Sequence, residues 1–277
     1  MDSSSNMYVV PIAAGEISYA EAGEGPAIVW LHGIGSGARS WRHQKAYFCD
    51  RFRVVMWDAP GYGQSTPPRN QFPSAGDYAV GLVGLLDALE IQRCHLVGHS
   101  LGALMAARFA ADYGEERLLS LTLCAAAGGK GRLSAEQQRA ILDERLGDLQ
   151  RLGTRGMAEK RGPRLLGPQA SVQMIQEVVE IQADAVRAVG YERAARMLVR
   201  ADLYSDLKRL PASLRLQVVY GEDDSITPPE SNQRIAAACG APAHPVAGAG
   251  HALYLERPDR FNEVIETLVN EIATANT

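Results

Sequence analysis

The stretch Arg93-Cys94-His95-Leu96-Val97-Gly98-His99-Ser100-Leu101-Gly102 sets a serine between two glycines, after an apolar run and before an alanine-rich one. A serine on a sharp strand-to-helix corner needs small residues on both sides, because larger ones would clash there. Such a corner lifts the hydroxyl out at the end of a sheet and aims the next helix's N-terminus at it. A hydroxyl is a poor nucleophile until a base takes its proton, and the base needs an orienting acid. Two later segments supply these types in the order Ser, acid, His. Val218-Val219-Tyr220-Gly221-Glu222-Asp223-Asp224 runs from a strand into an acidic turn closed by Pro228, which leaves Asp223 and Asp224 as candidates. Gly248-Ala249-Gly250-His251 follows the last strand and precedes the final helix. Upstream, Ile28-Val29-Trp30-Leu31-His32-Gly33-Ile34-Gly35 ends a strand in a glycine-rich turn, whose Ile34 N–H would join that of Leu101 as an oxyanion hole.

These residues need a sheet to hold them at one edge. Short apolar, β-branched runs predict strands at Tyr8–Ile12, Glu16–Glu21, Ala27–Leu31, Arg53–Trp57, Arg93–Val97, Leu119–Leu123, Leu216–Tyr220 and Ala243–Val246. Helices are expected at Tyr78–Glu90, Ala103–Tyr113 and Phe261–Ile272, with Ser74 and Asp77 as a capping box for the first. Alternation of this kind predicts an α/β chain with a mostly parallel eight-stranded sheet that opens as an antiparallel hairpin across Gly15. From Gly128 to Arg209 the alternation stops and only helical periodicity remains. Ser134 and Gln137 would cap a helix with Ile141, Leu142, Leu146 and Leu149 on one stripe, and Val172, Ile175, Val179, Val186 and Val189 form another. The expected organisation is a core of 1–127 and 210–277 with a helical cap of 128–209, set as a lid over the sheet's carboxyl edge.

Composition excludes several classes. The 277 residues carry 28 Lys and Arg against 32 Asp and Glu, a net charge of −4, which argues against a nucleic-acid partner. The charge is uneven: 129–209 holds 15 basic and 11 acidic residues, the remainder 13 and 21. A basic cap could steer in a carboxylate-bearing substrate, although solvated arginines on amphipathic helices give the same count. Cys49, Cys94, Cys124 and Cys239 show no C-x-x-C spacing, which fits free thiols in a reducing compartment. The opening Met1-Asp2-Ser3-Ser4-Ser5-Asn6 has neither the basic nor the apolar region of a signal peptide, and no run reaches the roughly 20 apolar residues of a membrane span. A cytoplasmic protein with no membrane partner is expected. No H-E-x-x-H or comparable spacing suggests a metal, the glycine turn at 33–37 lacks the Lys-Ser/Thr of a phosphate loop, and no cofactor is called for. His95 reads as a core histidine, and His43 and His244 have no partner that the sequence identifies.

Taken in order, the four motifs resemble the serine hydrolases of the α/β-hydrolase superfamily. Trp57-Asp58-Ala59-Pro60-Gly61-Tyr62-Gly63-Gln64-Ser65 is similar to that family's D-x-x-G-x-G-x-S turn, and Ser40-Trp41 is a further match. The resemblance implies Ser100 as nucleophile and His251 as general base. It implies Asp224 as the acid, because the family's G-x-x-D-x-x-x-P spacing falls on Gly221, Asp224 and Pro228. It gives His32 and His99 the role of orienting loops. Serine at position 100 separates the chain from haloalkane dehalogenases and epoxide hydrolases, which carry aspartate there. The nearer likeness is to 3-oxoadipate enol-lactonases and related small carboxylesterases, with Gly190-Tyr191 as a match in the cap. Its Leu101-Gly102-Ala103 departs from the lactonases' usual Met-Gly-Gly. The expected partner is a small-molecule ester or lactone. The alternatives are a C–C hydrolase of diketone acids on the same triad, a small-molecule receptor with a vestigial site, and a thioesterase or acyltransferase. Acyl length, stereochemistry and oligomeric state are left open.

Overall fold

The computed structural model describes residues 6–275. The polar opening Met1–Ser5, read above for a leader, lies outside the described residues. Eight strands form one sheet: β1 Met7–Ile12, β2 Gly15–Ala22, β3 Ala27–Leu31, β4 Arg53–Trp57, β5 Cys94–His99, β6 Leu118–Cys124, β7 Arg215–Gly221 and β8 Ala243–Val246. Their order is β1-β2-β4-β3-β5-β6-β7-β8. The first two strands form the expected hairpin, β2 runs antiparallel to β4, and every pairing from β4 to β8 is parallel.

Both faces of the central strands are covered, so their residues alternate between two apolar layers instead of between core and water. Val29 and Leu31 of β3 join one layer with Val55 and Trp57, while Ile28 and Trp30 join the other with Val54 and Met56. Helices α1 Arg42–Phe48, α2 Ala75–Ala88 and α3 Leu101–Arg117 follow in the first half of the chain, α2 and α3 on the first layer and α1 on the second. Ser74 and Asp77 form the capping box of α2, which therefore starts three residues before the sequence expectation.

Between β6 and β7 lie four helices: α4 Ala135–Arg161, α5 Val172–Ala185, α6 Ala188–Arg200 and α7 Leu203–Leu207. The Ser134–Gln137 capping box opens α4, and Gly153, at φ 66°, kinks it. The second expected stripe is corrected. Val186 is extended and ends α5, so Val172–Val189 spans two helices; Val172 is 72% and Val189 50% exposed, while Val178 and Val179 are buried. The chain closes with α8 Pro229–Cys239, α9 Leu253–Glu256 and α10 Pro258–Ala275. Short α1, α8 and α9 have too few turns for a periodic signal. Among the described residues no helix is long and apolar enough to cross a membrane.

His95 lies on β5 with Nδ1 2.8 Å from the Ser120 hydroxyl, and burial pulls its pKa down from 6.5 to about 4. The folded state therefore holds this imidazole neutral where the unfolded chain would protonate it. Its contribution to stability is present above about pH 6.5 and is lost as pH falls toward about 4. The melting temperature is expected to drop across that window, and the drop to be shallower in His95→Gln. Equal slopes in thermal melts of the two proteins would contradict this assignment.

Candidate active site

The strand order reverses at β3: the chain moves to β4 on one side and then returns to β5 on the other. Ligands of open α/β sheets bind at such a reversal, beyond the strands' carboxyl ends. The glycine turn after β3 and Ser100 after β5 stand there side by side.

Ser100 joins β5 to α3 at φ 54°, ψ −110°, a conformation rarely taken by a residue with a side chain. The backbone fixes it there. Its N–H donates to Cys124 O (2.9 Å), and its carbonyl accepts from Ala103 N–H (3.1 Å) and Ala127 N–H (3.2 Å). The flanking glycines are sterically required. A Cβ on Gly98 would stand 2.5 Å from Gly102 O, and one on Gly102 would stand 2.4 Å from Leu31 O. Gly33 lets the upstream turn close on the serine, since its Cβ would lie 3.1 Å from Ser100 Cβ. Neither the Ile34 nor the Leu101 N–H has a protein acceptor among the described residues, and both residues border the cavity that Ser100 faces.

His251 and Asp224 meet as expected from the motif spacing. His251 Nδ1 is 2.8 Å from Asp224 Oδ2, with both side chains buried. The other carboxylate oxygen accepts Ile226 N–H (2.7 Å) and Thr227 N–H (2.9 Å), and the Thr227 hydroxyl lies 2.7 Å from Oδ2. Burial pushes the Asp224 carboxyl up, but the His251 hydrogen bond and charge and the Thr227 donors outweigh it and hold it below the usual range. Asp223 is exposed and spends its backbone N–H on Ala249 O.

Two further histidines, His32 and His99, hold loops. His32 sits between Gly33 O, 2.8 Å from Nδ1, and Ala59 N–H, which donates to Nε2 at 3.0 Å. Those partners require a proton on Nδ1 and none on Nε2, and burial keeps the ring neutral. His99 Nε2 donates to His251 O at 3.0 Å, so the residue before the serine supports the His251 backbone. Asp58 of the second glycine turn accepts from Ser18 Oγ (2.5 Å) and Ala38 N–H (2.9 Å), a structural role.

One contributor had no motif to reveal it. Glu256, buried on α9, accepts Gly167 N–H and Gly250 N–H, each at 2.7 Å, while Leu165 O accepts Ala252 N–H at 2.8 Å. One carboxylate thereby bridges the segment before α5 to the loop of His251. The cavity itself measures about 490 Å³ and lies between the sheet edge and α4–α6. Met157, Tyr191 and Tyr204 line it, whereas Met197 is buried elsewhere. Among the described residues no three His, Cys, Asp or Glu side chains gather in a way that could hold a metal ion.

Sheet order, corner and covering helices define the class, and comparison with known proteins gives the family. The model of the Alpha/beta hydrolase family matches residues 28–264, and the chain belongs to that family. It is 26% identical to 3-oxoadipate enol-lactonase 2 of Acinetobacter baylyi, over 91% of this chain and 92% of that one. It is 30% identical to 2-hydroxy-6-oxo-6-phenylhexa-2,4-dienoate hydrolase of Comamonas testosteroni, over 90% and 89%. A thermophilic esterase from Thermogutta terrifontis superposes with a TM-score of 0.85 at 26% identity, covering 96% of this chain and 99% of that one.

The geometry separates the two neighbouring acids experimentally. Asp224→Asn is expected to lower turnover by about 10⁴-fold, because it removes the acceptor that fixes the imidazole tautomer. Asp223→Asn is expected to leave turnover within about a factor of three, since removing an exposed charge shifts energies by a few tenths of a kcal/mol. Steady-state ester kinetics on the two variants check this, and a larger loss in Asp223→Asn would reverse the assignment.

Proposed function

We propose that this chain cleaves a small carboxylic ester or lactone through an acyl-enzyme on Ser100, as a carboxylic ester hydrolase of the α/β-hydrolase family. His251 takes the Ser100 proton as Oγ attacks the carbonyl carbon, and the carbonyl π electrons move onto oxygen. The Ile34 and Leu101 N–H groups receive that oxyanion. Collapse breaks the bond to the leaving oxygen, which takes the proton from His251. A water molecule then gives its proton to His251 and attacks the acyl carbon, and the proton returns to Ser100 as the acid departs. Asp224 keeps the imidazole in the productive tautomer and stabilises its charged form.

The observation that carries this reading is the convergence on one cavity of a strained serine, a carboxylate-paired histidine and two amide donors without a protein acceptor. A cavity of this size suits a small molecule. Residues 128–209 would serve as the lid, since α4–α6 supply the wall opposite Ser100. Four free cysteines fit a reducing, cytoplasmic setting. A second reading has its own support in the relative named for dienoate hydrolysis: the same residues would cleave a C–C bond in a diketone acid.

Ser100→Ala is expected to lower turnover by about 10⁶-fold without changing the melting temperature by more than a few degrees. Wild-type and variant would be assayed on short esters, an enol-lactone and a ring-cleavage diketone acid. Retained esterase activity in Ser100→Ala would remove the nucleophile assignment. Turnover of the diketone acid with none of the esters would select the second reading.

A further inference from the structure

The charged lining of the cavity has one sign. Lys130, Arg145, Arg161 and Arg164 border it, and no aspartate or glutamate does. The surroundings pair only one of them with carboxylates. Arg161 is the exception: it pairs with Glu144 (3.6 Å) and with Asp148, 3% exposed, which it shares with Arg151 and Lys160. Arg145 donates to the Tyr191 hydroxyl at 3.1 Å, and neither it nor Lys130 nor Arg164 has a carboxylate partner among the described residues.

A second, independent observation comes from Gln182 on α5. It is 5% exposed, borders the cavity, and its carboxamide has no hydrogen-bond partner among the described residues. Its Oε1 would lie 3.5 Å from a Cβ on Gly35, one residue beyond the Ile34 amide. Carboxamides in the interior are normally paired, and one open toward a cavity is free to bond to what enters it.

We infer that the substrate carries, besides its scissile carbonyl, an anionic carboxylate held by Arg145 with Lys130 and Arg164 at the mouth, while Gln182 hydrogen-bonds it beside the oxyanion turn. This rests on the reading of Ser100 and His251 as the reacting end. A carboxylate accepts charge-assisted bonds from the guanidinium fork, which a neutral ester cannot replace. In a partly desolvated cavity those bonds are less screened than at the surface.

The test uses binding, so that it does not depend on turnover. Ser100→Ala protein is titrated calorimetrically with monomethyl glutarate, an anion at neutral pH, and with dimethyl glutarate, its uncharged counterpart. The anion is expected to bind at least about tenfold more tightly, by a margin that shrinks with added salt. Arg145→Gln should cut the margin at least about threefold. Should that variant fold poorly, the exposed pair Lys130→Gln and Arg164→Gln should cut it instead. Equal or tighter binding of the diester, a margin indifferent to both substitutions, or no binding of either compound would overturn the inference. Absence of ester turnover by the wild type would count against the proposed reaction and would leave the titration to decide the anion site.

Discussion

The structure depends on one backbone constraint, the left-handed corner at Ser100. A residue with a Cβ held at φ 54° stores conformational energy, on the order of 1–3 kcal/mol, that the surroundings must offset. They do so through the bond to Cys124 on the neighbouring strand and the two amides on the serine carbonyl. Packing then limits the neighbours: a Cβ on Gly98 would meet Gly102 O and Ala106 Cβ of α3, and one on Gly102 would meet Leu31 O at the end of β3. The closeness of α3 to β3 brings the β3 turn against the serine, so the meeting of Ser100 with the Ile34 and Leu101 amides is a by-product of one tight helix–strand contact.

His251 and Asp224 are held by a second system that reaches the first at few points. Asp224 is anchored by the backbone of its own turn, and His251 by Asp224 on one side and the His99 imidazole on the other. Glu256 adds the link to the segment leading into α5, where paired backbone contacts leave no room for side chains: a Cβ on Gly250 would be 2.5 Å from Gly167 N. The helices over the cavity and the histidine loop therefore share a joint.

Much of this was legible in the sequence, for identifiable reasons. Strands β3, β4 and β8 have the bounds that the apolar runs predict, because glycine, proline or a change of polarity ends each. Strand β5 runs on to His99, past the expected end at Val97, since a histidine buried against His251 does not look apolar. The Ser100 corner, the β3 turn and His251 were visible because each needs local small residues. Asp224 was separable from Asp223 only through the resemblance; in the structure Asp224 Oδ2 lies 2.8 Å from His251 Nδ1 and 2.7 Å from the Thr227 hydroxyl. Arg145, Gln182 and Glu256 carried no local signal. Their roles arise from contacts between distant segments, which no spacing rule encodes. The valine stripe over Val172–Val189 misled because its period ignores the break at Val186.

The central claim is that the corner makes Ser100 a base-activated nucleophile. Treating the protein with a fluorophosphonate probe and mapping the adduct by mass spectrometry tests it most directly. The account predicts a single stoichiometric adduct on Ser100, formed far more slowly in His251→Ala. Labelling at another residue, or a rate indifferent to His251, would contradict it.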